Sequence, residues 1–324
     1  MTGPPAGSPA PQPDRSAAAA SPRVDPPAAH ASPRTDPPAA AGSRRAGPGA
    51  RARRPARRAP ATDADPVLEV LARGAIELEG RLVDASNTTL RGWVRHEGVT
   101  LRCVYKPVAG ERPLWDFPDG TLAGREVAAY LVSVAGGWGA VPPTVLRDGP
   151  LGPGAVQLWI EESAVEPAPL GFVPAADLPP GWFSILAARD PSGAPYVLAH
   201  ADDPRLARLA LFDAVANNAD RKGGHVLSAE GGRLYGVDHG LCFHVEDKLR
   251  TVLWGWAGTP LPAESLPALR RLGGLVAGAL GERLADHLTR AEVTRLGERI
   301  DGLVTAGRYP LPPTDWPAVP WPPL

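Results

Sequence analysis

A two-lobed α+β architecture is the fold the sequence predicts, and three features predict it. Residues 75–163 carry short apolar segments of period two, separated by turn residues and broken by one helical stretch. From residue 203 onward the apolar period lengthens to that of helices, apart from one hairpin over 225–237. Between these parts lies a proline-rich stretch that reads as a connector. The expected division is a tail over 1–62, an N-terminal lobe over 63–163, a C-terminal lobe over 164–310 and a Pro/Trp-rich end over 311–324. A small antiparallel sheet with one helix fills the first lobe, and the second lobe is mainly helical.

Taken in order, "VLEVLARGAIELEGRLV" predicts a short helix and then a strand presenting Ile76 and Leu78. "LRGWVRHEGVTLRCVYKPV" predicts a hairpin around His-Glu-Gly, closed by Pro107 just after Lys106. "TLAGREVAAYLVSVAGG" (121–137) has Leu122, Val127, Tyr130, Leu131 and Val134 at helical spacing, with two glycines to stop it. "VPPTVLRDG" and "AVQLWIEES" form a second hairpin, with its turn expected at Asp148-Gly149. In "DPRLARLALFDAVANN" Asp203 suits an N-cap, Pro204 the first helical position, and Asn217 and Asn218 the C-terminal cap. Two more helices are expected over 263–282 and 285–303.

At 324 residues the chain holds enough sequence for two packed units. Its formal net charge of −1 hides an asymmetry: residues 1–60 hold ten arginines against three aspartates, so the rest is acidic. The first 62 residues have almost no large apolar side chain, and "SPRVDPPAA" recurs as "SPRTDPPAA". This is low-complexity sequence expected to be disordered. The cluster "RRAGPGARARRPARR" suits weak contact with an anionic surface. It has no interleaved aromatic for base stacking, so no specific nucleic-acid partner is expected. The two cysteines, Cys103 and Cys242, make no disulfide framework and favour a reducing, cytoplasmic setting. No apolar run reaches the ~20 residues that span a bilayer.

The chemistry concentrates in four places. Lys106 ends a strand and Glu126 sits in the next helix, the pairing that a kinase-type nucleotide site uses to hold donor phosphates. "DRKGGH" sets Asp220 five residues before His225, the interval that separates a catalytic-loop aspartate from its metal-binding partner. "VDHG" puts Asp238 after an apolar strand and before a glycine, where a carboxylate can chelate Mg²⁺.

"DAVANNADRKGGHVL", "VDHGLCF", "VYKP" and "GERP" together resemble the phosphatidylinositol 3-/4-kinase-like superfamily, and among its members the type II phosphatidylinositol 4-kinases. An uncharacterised actinobacterial kinase-like group is similar, and HipA-type kinases are more distant. The resemblance spans roughly 75–255. It implies a two-lobed protein-kinase-like fold and an ATP-dependent phosphotransferase acting on a hydroxyl-bearing acceptor with Mg²⁺ or Mn²⁺. It further implies that Asp220 is the catalytic aspartate, Lys106 the phosphate-holding lysine braced by Glu126, and Asp238 the principal metal ligand. Ser86, Asn87 and Thr88 would cover the phosphates, and backbone near Ile160 and Glu161 would meet adenine. His225 stands where the superfamily has asparagine; an imidazole is softer than an amide oxygen and favours Mn²⁺ or Zn²⁺ over Mg²⁺. A nucleotide-binding pseudokinase and an AMP-transferring enzyme are the alternatives.

Overall fold

The computed structural model describes residues 65–82, 87–117, 121–166 and 168–324; the N-terminal tail and Ser86 lie outside the described residues. A five-stranded antiparallel sheet in the order β1-β2-β3-β5-β4 builds most of the first lobe. Its strands are β1 (Ala75–Arg81), β2 (Leu90–His96), β3 (Val99–Pro107), β4 (Thr144–Gly149) and β5 (Gly152–Leu158). The β2–β3 turn runs through Glu97 (φ 47°) and Gly98 (φ 81°). Positive φ at both central residues matches the twist of a two-residue hairpin. The β4–β5 turn sits at Pro150-Leu151, two residues beyond the expected Asp148-Gly149, because Gly149 still pairs with Gly152. Proline pre-sets the first central position of such a turn.

Helix α1 (Pro66–Arg73) packs on one face of this sheet, and Val70, Leu71, Leu90, Val94, Cys103, Tyr105 and Val156 form a small core. Helix α2 (Leu122–Ala135) carries Glu126 and follows β3 in the chain. Its inner side chains Ala128, Ala129 and Val132 belong to a second, larger core. Arg125, nearly fully buried, pairs with Glu292 at 2.5 Å and donates to the Cys242 carbonyl at 2.8 Å.

The stretch after residue 163 is no mere connector. It holds a three-stranded antiparallel sheet in the order β6-β8-β7, from β6 (Leu170–Pro174), β7 (Trp182–Arg189) and β8 (Pro195–Ala201). Helix α3 (Pro204–Ala216) starts as expected, with Asp203 accepting from Arg205 N–H and Pro204 at its head. The short hairpin β9 (Val226–Ser228) and β10 (Leu234–Gly236) follows. Helices α4 (Ser265–Val276), α5 (Ala279–Leu284) and α6 (Arg290–Ala306) complete the second lobe around the larger core. The whole is a two-lobed α+β fold. No described helix is long and apolar enough to cross a membrane.

The C-terminal segment crosses the second lobe. Ala318 O accepts from Thr251 N–H at 3.0 Å and from the Trp254 indole at 2.8 Å. Pro323 O accepts from Gly223 N–H at 2.8 Å. Trp316 is half-buried, whereas Trp321 stays largely exposed.

Candidate active site

Alternation along β3 decides where Lys106 points. Cys103 and Tyr105 turn into the small core, so Lys106 leaves the opposite face and meets α2. Its ammonium hydrogen-bonds Glu126 Oε1 and lies 3.0 Å from Asp238 Oδ1. Burial works against the charge on Lys106, but Asp238 and Glu126 outweigh it and raise the pKa. Lys106 in turn holds Asp238 well below the usual carboxylate range. Glu126 is 2 % exposed, and burial pushes its carboxyl up against the pull of Lys106.

The loop carrying Asp220 is held from beneath. Helix α3 ends at Asn217 in the left-handed region (φ 52°), whose side chain donates to His244 O and Glu246 O. Asn218 donates to Asp213 Oδ1 and accepts from Asp220 N–H. Arg221, fully buried, pairs with Asp213 and donates to the carbonyls of His225 (3.2 Å) and Val237 (2.9 Å). One guanidinium thus ties the loop to both ends of the β9–β10 hairpin. His239 Nε2 lies 2.8 Å from the same guanidinium, and burial keeps that imidazole far below its ordinary pKa. It lies behind the cleft, as a wall of the loop.

Asp220 is half-buried, its carboxylate 3.5 Å from Lys222 Nζ. Burial raises its pKa, while Lys222 and Arg250 pull it back. Asp238 adopts φ 59°, a left-handed turn that Asp tolerates better than most residues. Its Oδ2 is 3.4 Å from His225 Nε2. Burial lowers the His225 pKa to about 4, so the ring is neutral near pH 7 and keeps a lone pair. Among the described residues no third His, Cys, Asp or Glu completes a cluster with this pair. Two protein ligands fit a divalent ion that takes its remaining oxygens from phosphates and water, not a closed structural zinc site.

A cavity of about 300 Å³ opens between the lobes, lined by Lys106, Glu126, Asp220 and Asp238 together with Asn87, Thr88, Glu111 and Arg112. Asn87 accepts from Arg112 N–H at 2.9 Å and Thr88 N–H donates to Gly110 O at 3.1 Å. Gly110 fits because a Cβ there would come within 2.4 Å of Thr88 Cβ. Glu111 accepts from the first two amides of α2, Leu122 and Ala123. Ile160 and Glu161 do not line this cavity; Glu161 is exposed and accepts from Arg102 at 2.7 Å. Sequence reasoning singled out neither Lys222 nor Arg112, although "DRKGGH" and "GERP" contain them.

No family model matches the chain. Protein Rv2133c of Mycobacterium tuberculosis is 50 % identical over 261 residues, covering 77 % of this chain and 94 % of that protein. Solved structures with a similar outline include hydra Fam20 with sugar, at 14 % identity and a TM-score of 0.47 over 76 % of this chain and 89 % of that one. The Golgi casein kinase with Mn/ADP bound is similar at 13 % identity and a TM-score of 0.43, over 75 % and 74 %.

Proposed function

The chain belongs to the family of Protein Rv2133c, and from its cleft we propose that it is an ATP-dependent phosphotransferase that moves the γ-phosphoryl group to a hydroxyl. The observation that carries this reading is the contact across the lobes: Lys106 Nζ is 3.0 Å from Asp238 Oδ1, on a cavity that Asp220 also lines. A strand lysine braced by a helix carboxylate suits anionic donor oxygens, and Arg112 adds a second cation to the same wall.

His225 and Asp238 would hold the divalent ion, which when bound neutralises charge on the phosphates. Asn87 and Thr88 cover the phosphate side, and Ser86 adjoins them in sequence. Asp220 orients the acceptor hydroxyl and receives its proton as the new O–P bond forms and the β,γ-bridging P–O bond breaks. Burial makes its carboxylate a better base than a solvated one, against the pull of Lys222. The neutral imidazole at 225 favours Mn²⁺ over Mg²⁺. The motif order supports a place in the phosphatidylinositol 3-/4-kinase-like superfamily, and two buried free thiols support a reducing, cytoplasmic setting.

ATP turnover in Mn²⁺ and in Mg²⁺, wild type against Asp220→Asn, tests the assignment. Turnover in the wild type alone, higher in Mn²⁺, is the expected result; equal turnover in both proteins removes Asp220 from the mechanism. The imidazole at 225 also favours a second reading, a nucleotide sensor without transfer. That reading expects ATP to raise the melting temperature of a wild type that transfers nothing.

A further inference from the structure

Glu126 carries an unfinished hydrogen-bond set at the back of the cleft. Its Oε1 bonds Lys106, whereas Oε2 is the only buried side-chain oxygen among the described residues without a hydrogen-bond partner. A charged acceptor left unsatisfied where solvent does not reach it is costly. Burial, Lys106 and Asp238 set the charge on this carboxylate, and the His239 backbone N–H adds a smaller pull toward the ionised form.

The side-chain donor that fits Oε2 belongs to the same His239. Its imidazole is fully buried, and Nδ1 stands 3.9 Å from Glu126 Oε2. Nδ1 also lacks a hydrogen-bond partner. The other ring nitrogen decides where the proton sits. Arg221 Nη2 carries two hydrogens, of which one goes to Asp213 Oδ1 at 2.9 Å and the other to His239 Nε2 at 2.8 Å. A guanidinium has no acceptor to offer, so Nε2 must present its lone pair and the ring proton is left on Nδ1. Phe212, perpendicular to the imidazole with centroids 5.5 Å apart, supports the plane of the ring.

We infer that His239 is a positioning residue: its Nδ1–H is the second donor to Glu126, and it holds that carboxylate, and through it Lys106, in register with the loop of Asp220. This rests on the phosphotransferase reading above. The separation is about 1 Å beyond a hydrogen bond, and the last torsion of a glutamate side chain is broad enough to close it. The need arises when the cleft is in use. Lys106 is shared with Asp238 at 3.0 Å. Once Asp238 turns to a divalent ion, Lys106 keeps only Glu126 of these two carboxylates, and Glu126 needs an anchor of its own. The contacts then run from Asp213 on α3 through Arg221, His239 and Glu126 to Lys106 on the sheet of the first lobe.

Two substitutions separate the two edges of the ring. The amide oxygen of glutamine is as many bonds from Cα as Nε2, so His239→Gln keeps an acceptor for Arg221 and loses the donor to Glu126. The amide nitrogen of asparagine is as many bonds away as Nδ1, so His239→Asn keeps the donor and loses the acceptor. ATP turnover in Mn²⁺ by the full-length protein is measured beside urea unfolding. His239→Gln raises the KM for ATP about tenfold or more, the effect of losing a hydrogen bond to a charged group, with an unfolding midpoint near that of wild type. His239→Asn lowers the midpoint and raises the KM by less than about threefold. A merely structural histidine gives a different pattern, in which kcat falls with the folded fraction and the KM does not move. That pattern, or an equal rise in KM for both variants, overturns the positioning role and leaves the phosphotransferase reading standing. Long-range proton–nitrogen correlation spectra of the isotope-labelled protein, with the His239 signals identified by their loss in His239→Gln, give the tautomer directly. The proton is expected on Nδ1; a proton on Nε2 overturns the inference whatever the turnover. Neither turnover nor ADP binding in the wild type overturns the phosphotransferase reading, and the positioning role with it.

Discussion

Replacing Arg221 by methionine removes a side chain that ties the loop carrying Asp220 to the β9–β10 hairpin. Its guanidinium pairs with the equally buried Asp213 (Nε to Oδ2 2.9 Å) and supplies donors to His225 O, Val237 O and His239 Nε2. Removing one partner of a buried ion pair costs roughly 3–5 kcal/mol, because the surviving charge is left without water or a counter-ion. Each acceptor that loses its donor adds on the order of 1 kcal/mol, and these losses overlap because the groups touch. The expected total is about 4–6 kcal/mol, a large part of the ~5–15 kcal/mol that typically holds a domain folded. Adding Asp213→Leu removes the stranded carboxylate and returns roughly half of the loss, while the three orphaned acceptors remain and the Asn218 side-chain amide loses its own acceptor. Urea unfolding followed by tryptophan fluorescence and far-UV circular dichroism measures both variants. A loss under about 1 kcal/mol in Arg221→Met would refute the hub. Full recovery in the double variant would show that the two carbonyls and the imidazole gain nothing from Arg221, and the Asn218 amide nothing from Asp213.

Three further outcomes follow from the same coordinates. A Cβ at Gly223 would lie 2.0 Å from Leu324 Cδ2 and 2.7 Å from Leu170 Cδ1, so Gly223→Ala displaces both side chains and destabilises by about 1 kcal/mol; Leu324→Ala relieves part of the effect, and equal melting temperatures for wild type and Gly223→Ala count against the packing. His200, buried between Phe183 and Trp256, accepts from Gly255 N–H at 3.2 Å, and burial lowers its pKa from 6.5. The unfolded chain therefore takes up the proton first, so this contribution is complete above about pH 6.5 and fades as pH falls toward the folded value. His200→Gln should flatten the melting temperature between pH 7 and pH 5, and an unchanged slope is the contrary result. Burial raises the Cys103 pKa to about 11 and lifts Cys242 well above 9, so neither thiol should react with a disulfide reagent at pH 8 until the protein unfolds.

The parts of the cleft that were legible in the sequence are those whose placement follows from local period. Lys106 follows from the alternation of β3, and Asp238 from its place just after the hairpin strand β10. The C-terminal cap at Asn217 follows from an asparagine able to adopt φ 52° where a helical pattern stops. The sheet over 170–201 was not legible, because Pro174, Pro179, Pro180, Pro191 and Pro195 bound or interrupt its strands and mask the alternation. Its pairing also skips a strand, since β6 bonds to β8 and not to β7. Arg221 was hidden for a different reason. A basic residue beside an acid in a glycine-rich loop reads as solvated charge, and only the fold reveals it as fully buried.

The helix carrying Glu126 shows how far chain order can depart from packing. Helix α2 lies between β3 and β4 in sequence, which assigns it to the first lobe. Its buried residues instead join the larger core, and Arg125 ties it to Glu292 on α6. Lys106, by contrast, stands on a strand whose opposite face builds the small core. The Lys106–Glu126 pair is therefore a contact between two separately packed bodies, and the cavity lies along their seam. That explains why its charges sit close together although they come from 106, 126, 220 and 238: each body buries its own apolar face, and the ionic groups collect where neither core extends. Three of these four residues stand on the larger body, with Lys106 alone facing them from the sheet. The seam thus sets Lys106 from the small body against three carboxylates from the large one, a net negative cluster that a polyanionic ligand would enter only together with a divalent cation.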